Sequence, residues 1–545
     1  MSETSEKNEA AAAPAAERAA VSYSYDGPDM KGIVEDLNEK RTKFAAMGGE
    51  ERIQRQHDQG KLTVRERLEL LFDEGTFVEY GLLAHHQSQS PAMQGKFTPA
   101  DGVITGIGDI DGRKACVIAY DFTVMAGSMG MVTEIKSSRM RELALRERIP
   151  LVWLVDSAGA RIQEATGSMF ARTGELFREQ VVMSGVVPQV AAMMGPGAAG
   201  TAYIPGLADF VPMVKGTSNM ALAGPHLVKA AVGEEVTAEE MGGSKVHCKV
   251  SGVGDLEVED DQACIDAIRK YLSYFPASNQ GELPVIESTD PADRRAEELY
   301  DIVPANPRQA YDVHKVIRAI TDDGDFFPMK PDWAKNLVTG FARFGGRPAG
   351  IVANQPKFLG GALDVNSADK AARFVWLCDA FNIPLVFLMD CPGFLVGSAV
   401  EKQGIIRHGA KMLFAVAEAT VPKVTVVMRK GYGAGYYVMN GRAYEPDVIV
   451  GWPTAEISVM GPEGAVNIIF RKQIEAMPPE EQNEARNNMV AVIREQISPY
   501  VAAGWSFIDD VIDPADTRKI IVRGLEAGVT KKMERPWRKH GVLPV

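Results

Sequence analysis

At 545 residues, with 46% hydrophobic and 24% charged residues, the chain is ordinary globular material but too long for one hydrophobic core, so about two to four structural units are expected. A net charge of −13 and a pI near 5.3 exclude the broad basic face that phosphate contacts demand, and with it a nucleic-acid function. No apolar run reaches the roughly 18 residues of a membrane span, and five cysteines without Cys-x-x-Cys spacing indicate neither a disulfide framework nor a zinc site, so a soluble cytoplasmic protein without a metal is expected.

Residues 1–22 consist largely of Ala, Glu and Pro with no aromatic residue, too little apolar variety to bury, and read as a disordered tail. From 30 to about 73 the pattern is helical, and in Lys61-Leu-Thr-Val-Arg-Glu-Arg-Leu68 Thr63 is placed to cap a helix with Glu66 completing a capping box. Short β-branched runs follow at 115–120, 150–155 and 187–193, alternating with helical stretches as crossover units do. A Pro-, Asp- and Glu-rich stretch at about 280–305 is the linker candidate, dividing a unit at 23–290 from one at 291–545. Beyond it come runs at 349–353, 384–389 and 423–428, with a helix behind Ser367 carrying Ala368, Ala371, Val375 and Cys378 at helical spacing.

The two halves repeat one another. Pro150-Leu-Val-Trp-Leu-Val-Asp156 is answered 234 residues on by Pro384-Leu-Val-Phe-Leu-Met-Asp390, Gly112-Arg113 by Gly346-Arg347, and Val187-Pro188 by Val421-Pro422. After the last strand of each half comes a turn of small residues, Gly195-Pro-Gly-Ala-Ala-Gly-Thr-Ala-Tyr203 and Gly431-Tyr-Gly-Ala-Gly-Tyr436. Without side chains in the way, backbone N–H groups of such a turn can reach a ligand oxygen, and a helix opening there adds positive potential. Ala199-Gly200 and Ala434-Gly435 are therefore the candidate oxyanion holes; the competing reading is a turn that only lets a helix pack close to the sheet.

Other residues invite chemistry and have plainer explanations. Ser157 reads as a turn hydroxyl, Cys391 as a packing residue, and His85-His86 as an isolated pair without further ligands. Arg407, His408 and Lys411 share a helical stretch that could meet an anion or simply face solvent or another subunit. Met125, Met129 and Met131 could line an acyl pocket or fill the core.

Asp156-Ser-Ala-Gly-Ala-Arg-Ile-Gln-Glu164, Val352-Ala-Asn-Gln-Pro356, Asp390-Cys-Pro-Gly-Phe394, Gly404-Ile-Ile-Arg-His-Gly-Ala-Lys411, Trp452-Pro-Thr-Ala-Glu-Ile-Ser-Val-Met-Gly461 and the stretch at 61–67 resemble the signatures of carboxyltransferase (β) subunits of biotin-dependent acyl-CoA carboxylases. The resemblance covers about residue 30 to the carboxyl end. It implies an α/β fold of two tandem crotonase-like β-β-α superhelix domains, a first on the CoA side and a second on the biotin side. It also implies a hexamer with active sites between subunits, and a separate α subunit carrying biotin carboxylase and biotin carrier domains.

In that family the carboxyl group passes from carboxybiotin on the carrier to the α carbon of an acyl-CoA, with the ureido group of biotin taking the α proton. Ala199-Gly200 would hold the thioester enolate, with Gly195, Gly197, Ala198 and Tyr437 near the substrate, and Gly433, Ala434 and Gly435 would hold biotin. A protein nucleophile is not needed, and the chain has no Gly-x-Ser-x-Gly, His-Glu-x-x-His or complete phosphate loop. Many family members read Gly-Gly-Ala-Tyr and then a small or acidic residue where this chain has Gly433-Ala434-Gly435-Tyr436-Tyr437. The resemblance implies a short acyl group, propionyl or acetyl ahead of a branched unsaturated one. A decarboxylase subunit, and an inactive crotonase-like assembly scaffold, are the alternatives.

Overall fold

The structure, a computed structural model, describes residues 25–545; the tail expected at 1–22 lies outside the described residues. Three helices lead in: α1 (Met30–Ala45), α2 (Glu50–Asp58) and α3 (Val64–Leu71). Thr63 caps α3 and Glu66 returns a carboxylate to the Thr63 N–H, the reciprocal pair expected.

Two eight-stranded sheets follow. The first takes β1 (Val78–Tyr80), β2 (Val103–Ile110), β3 (Arg113–Tyr120), β4 (Leu151–Ser157), β5 (Gln189–Ala198), β6 (Pro212–Val214) and β8 (Leu256–Val258) in that order, with β7 (Asn219–Ala221) paired to β5. The second runs from β9 (Phe327–Met329) through β10 (Leu337–Phe344), β11 (Arg347–Asn354), β12 (Leu385–Cys391), β13 (Lys423–Tyr432) and β14 (Val448–Gly451) to β16 (Asp510–Val511), with β15 (Glu456–Ser458) paired to β13. In each, three antiparallel strands give way to parallel ones. Every residue of β4 and β12 is buried, as expected of parallel strands covered on both faces.

Pairing registers repeat as the sequences do. Cys116 opposes Leu151 as Gly350 opposes Leu385, and after a bulge Ser157 opposes Gly197 as Cys391 opposes Gly431. α4 (Met131–Glu147) and α5 (Glu175–Met183) of the first half correspond to α7 (Val365–Ala380) and α8 (Ile405–Glu418) of the second, with α6 (Asp261–Leu272) between. The α7 cap differs from expectation: Asp364 is the N-cap, and Ser367 stands three residues inside, its N–H donating to Asp364 Oδ1 at 2.9 Å. The two residues share a capping box with the usual roles exchanged.

One core cluster spans both halves, and each half has a further one of its own. Phe210 stacks on Tyr271 at 4.4 Å, Tyr271 meets Phe275, and Phe275 packs edge-on against Phe341 at 5.2 Å, which continues to Phe374. The stretch expected to be a linker is fastened to the second half: Arg343 donates to the Pro284 carbonyl, and buried Arg518 to those of Asp290 and Pro291. Its polar composition marks a coil, while charged groups elsewhere in the chain decide that the coil is anchored.

Candidate active site

β5 ends in a short turn, Ala199–Ala202, leading into helix Tyr203–Leu207, and β13 ends at α9 (Gly433–Val438). Ala199 and Gly433 open these turns in the left-handed backbone region, with φ of 54° and 55°. Since strand register aligns Gly197 with Gly431, Ala199 corresponds to Gly433, Gly200 to Ala434 and Tyr203 to Tyr437. The pairing of Ala199-Gly200 with Ala434-Gly435 read from the sequence is displaced by one residue. Exposure agrees with the register from the third residue of each turn on: Thr201 and Gly435 are buried, and Tyr203 and Tyr437 are 50% and 49% exposed.

The N–H groups of Ala199 and Gly200, and of Gly433, Ala434 and Gly435, occupy first-turn positions beyond the reach of an intrahelical carbonyl. None of them donates to another protein group among the described residues. Each turn can therefore stabilise an oxygen that gains negative charge, and losing one such donor costs about 3–4 kcal/mol of transition-state stabilisation. A ureido oxygen or a thioester oxygen suits such a donor set.

The glycines divide into two kinds. A Cβ at Gly200 would stand 3.6 Å from the Phe177 ring and 3.9 Å from the Met129 methyl, ordinary contact distances, so nothing in the packing excludes a side chain there. A Cβ at Gly435 would lie 2.6 Å from Cys391 Sγ and 2.9 Å from Gly393 Cα; close helix packing requires glycine at this position. Gly195 and Gly197 were expected near the substrate, yet both are buried within β5. A Cβ at Gly195 would collide with Asp156 Oδ1, and one at Gly197 would meet the Met193 methyl at 2.7 Å. Ala198 is the half-buried last residue of the strand.

Beneath each turn lies a buried carboxylate whose role the sequence left unassigned. In the first half Asp156 accepts from Lys61 Nζ at 2.8 Å, Arg67 Nη1 at 2.9 Å and Gln56 at 3.1 Å, so the lead-in helices hold the strand end from below. Burial pulls the Lys61 ammonium below its ordinary range, against the opposing attraction of Asp156. In the second half Asp390 is met from β13 itself, by Arg429 at 2.8 Å and Lys430 at 3.0 Å. Arg429 also donates to the carbonyls of Pro304, Asn306 and Gln309 and lies over Tyr311. Arg429 occupies the register position of Gly195, so the cation that one half carries in its strand the other imports from α3 and the loop before it. The aligned Asp156 and Asp390 were the available signal.

The remaining candidates are structural. Ser157 Oγ donates to the Gly127 carbonyl at 2.7 Å and accepts from Gly159 N–H. Burial pushes the Cys391 thiol up to about 12, far from a thiolate nucleophile. Arg161 is buried against Asp101 and Glu164. His85 and His86 bond the carbonyls of Leu83 and Lys96, and no metal-holding cluster exists among the described residues. His408 and Lys411 both pair with Asp369 on α7, at 2.8 and 2.6 Å, while Arg407 reaches His408. Of the three methionines, Met129 alone stands beside Gly200.

Residues 55–543 match the family described as carboxyl transferase domain. The carboxyltransferase subunit of propionyl-CoA carboxylase from Haloferax mediterranei is 45% identical over 95% of this chain and 100% of its own. Methylmalonyl-CoA decarboxylase subunit alpha of Veillonella parvula is 44% identical over 94% of this chain and 99% of its own. Among solved structures, the 12S subunit of transcarboxylase, a hexamer with methylmalonyl-CoA and methylmalonic acid bound, has a TM-score of 0.90 and 46% identity, covering 95% of this chain and all of that one.

Proposed function

Given that the chain belongs to the carboxyl transferase family and is a biotin-dependent acyl-CoA carboxyltransferase of crotonase-like fold, we propose that its duplicated turns divide one transfer between two oxygens. The first half, about 23–290, takes the acyl-CoA, with the N–H groups of Ala199 and Gly200 holding the thioester oxygen as it becomes an enolate. The second half, about 291–545, takes biotin, with the N–H groups of Gly433, Ala434 and Gly435 around its ureido oxygen. Bound biotin supplies the carboxyl group and the base for the α proton. The protein's own work is to orient both carbonyls, exclude water and meet the developing charge with fixed dipoles.

The observation that carries this reading is the pair of register-matched turns, each with unspent N–H donors above a neutralised carboxylate. A separate α subunit with biotin carboxylase and carrier domains is the proposed partner. A hexamer is the proposed assembly, since exposed apolar residues recur at matched positions, Ile162 with Val396 and Leu222 with Val459, where a second copy would cover them. The 12S relative is a hexamer. The work is assigned to the cytoplasm: the five cysteines are free and buried, as a reducing compartment leaves them, and no described helix is long and apolar enough to cross a membrane.

The substrate is proposed to be a short acyl-CoA, propionyl or acetyl first. Assay of the chain with its biotin-carrying partner across acyl-CoAs of increasing length tests this; preference for acyls of eight carbons or more overturns it. The Veillonella parvula relative gives the reverse direction a footing. ATP-dependent fixation of labelled bicarbonate by the reconstituted complex supports carboxylation, whereas release of CO2 from a malonyl-type thioester without ATP supports decarboxylation.

A further inference from the structure

At the first turn three side chains from three separate elements meet beside Gly200. The Met129 methyl and the Phe177 ring bound the space above its bare face at 3.9 and 3.6 Å, a gap that admits one carbon atom in ordinary contact. Tyr203, half exposed, packs edge-on against Phe177 with ring centres 5.7 Å apart. This wall is held firmly. Met129 N–H donates to the Gly159 carbonyl and its own carbonyl accepts from Arg161, both at 2.8 Å, while the buried Tyr120 hydroxyl reaches the thioether sulfur at 3.5 Å. Phe177 sits on α5, whose neighbours Leu176 and Gln180 are buried.

The second half has no such wall. Its register equivalents of Met129 and Phe177 are Leu363, fully buried, and Lys411, ion-paired with Asp369. An apolar enclosure is thus present at one turn and not at its duplicate. We infer that Met129 and Phe177 are the specificity-determining residues for acyl length, forming the surface against which the carbons beyond the α carbon pack. The inference rests on the reading that the first turn holds the thioester. A thioester oxygen on the Ala199 and Gly200 N–H groups puts the acyl group beside this surface, where a rigid ring limits length and the thioether accommodates small differences in shape.

The test uses the whole complex, with acetyl-, propionyl-, butyryl- and pentanoyl-CoA as substrates and calorimetric binding of each to the assembled chain as a second readout. Phe177→Leu and Met129→Ala enlarge the space, and the kcat/KM ratio of pentanoyl- to propionyl-CoA should rise about tenfold or more, the scale on which pockets sense a methylene. The Kd ratio should move with it. Gly200→Ala adds a methyl where one just fits and should shift preference the other way, toward acetyl-CoA. If every variant changes all four substrates by one common factor, the wall is only structural and the inference fails. If the unaltered complex carboxylates none of the four, the functional reading itself has failed. Should Met129→Ala not fold, Phe177→Leu and Gly200→Ala still give opposite, decisive signs.

Discussion

Replacing Arg429 by methionine isolates what the buried carboxylate under the second turn requires. Asp390 is wholly buried and loses its 2.8 Å partner, keeping only Lys430 at 3.0 Å, while the carbonyls of Pro304, Asn306 and Gln309 lose their common donor. Removing one member of a buried ion pair costs about 3–5 kcal/mol, because the surviving charge stays behind uncompensated. Pro304 is half-buried and Asn306 and Gln309 are exposed, so water can replace the donor that their carbonyls lose, and those losses add little. Adding Asp390→Asn removes the stranded charge and should return about 1 kcal/mol or more despite being a second lesion. Urea denaturation at fixed chain concentration, with hydrogen exchange followed over β12 and β13, measures both variants. If the double variant is less stable than Arg429→Met, by the sum of the two single losses, charge compensation is not what Arg429 provides.

Gly435→Ala should destabilise the chain by about 1–3 kcal/mol through overpacking on Cys391 and Gly393, seen as a lower urea midpoint. Gly200→Val should lower kcat/KM at least tenfold, because the space beside the N–H pair admits one carbon and valine brings three. Ser157→Ala should cost about 1 kcal/mol of stability and only a few-fold in kcat, since its hydroxyl serves the Gly127 and Gly159 backbone; a loss near a thousandfold would restore it as a nucleophile. Burial holds the thiols of Cys116, Cys248 and Cys391 up at about 12, so they stay protonated at pH 8; native protein should resist iodoacetamide there and react fully in urea.

The duplication and the main strands that carry it were readable because parallel strands buried on both faces leave uninterrupted apolar runs, and the runs at 150–155 and 384–389 stand in one register. The capping box at Thr63 was readable for the same reason of locality: both partners lie within one turn. What could not be read was whatever depends on contacts distant in the chain. Gly195 looked like a ligand-facing glycine until Asp156 was found occupying its side-chain space, and the contact with Cys391 that demands glycine at 435 is just as distant in the chain. The exact partner of Ala199 is a matter of backbone φ and strand register, which composition does not encode, so the second turn was aligned one residue late. Lys61 and Arg67 appeared only as part of a signature stretch; their target, Asp156, lies 95 and 89 residues away.

The two halves neutralise one carboxylate in ways that exclude each other. With its cations drawn from α3 and the loop before it, the first half holds the Asp156 side chain over Gly195, which closes that position to any larger residue. Restoring arginine at 195 now meets a collision, and discarding Lys61 or Arg67 leaves a charge stranded. Neither step alone is tolerable, though both together describe the arrangement that the second half uses. Each half is thus confined by epistasis to its own solution, and a chimaera that exchanges β5 for β13 without the lead-in helices would inherit two incompatible answers to one electrostatic problem.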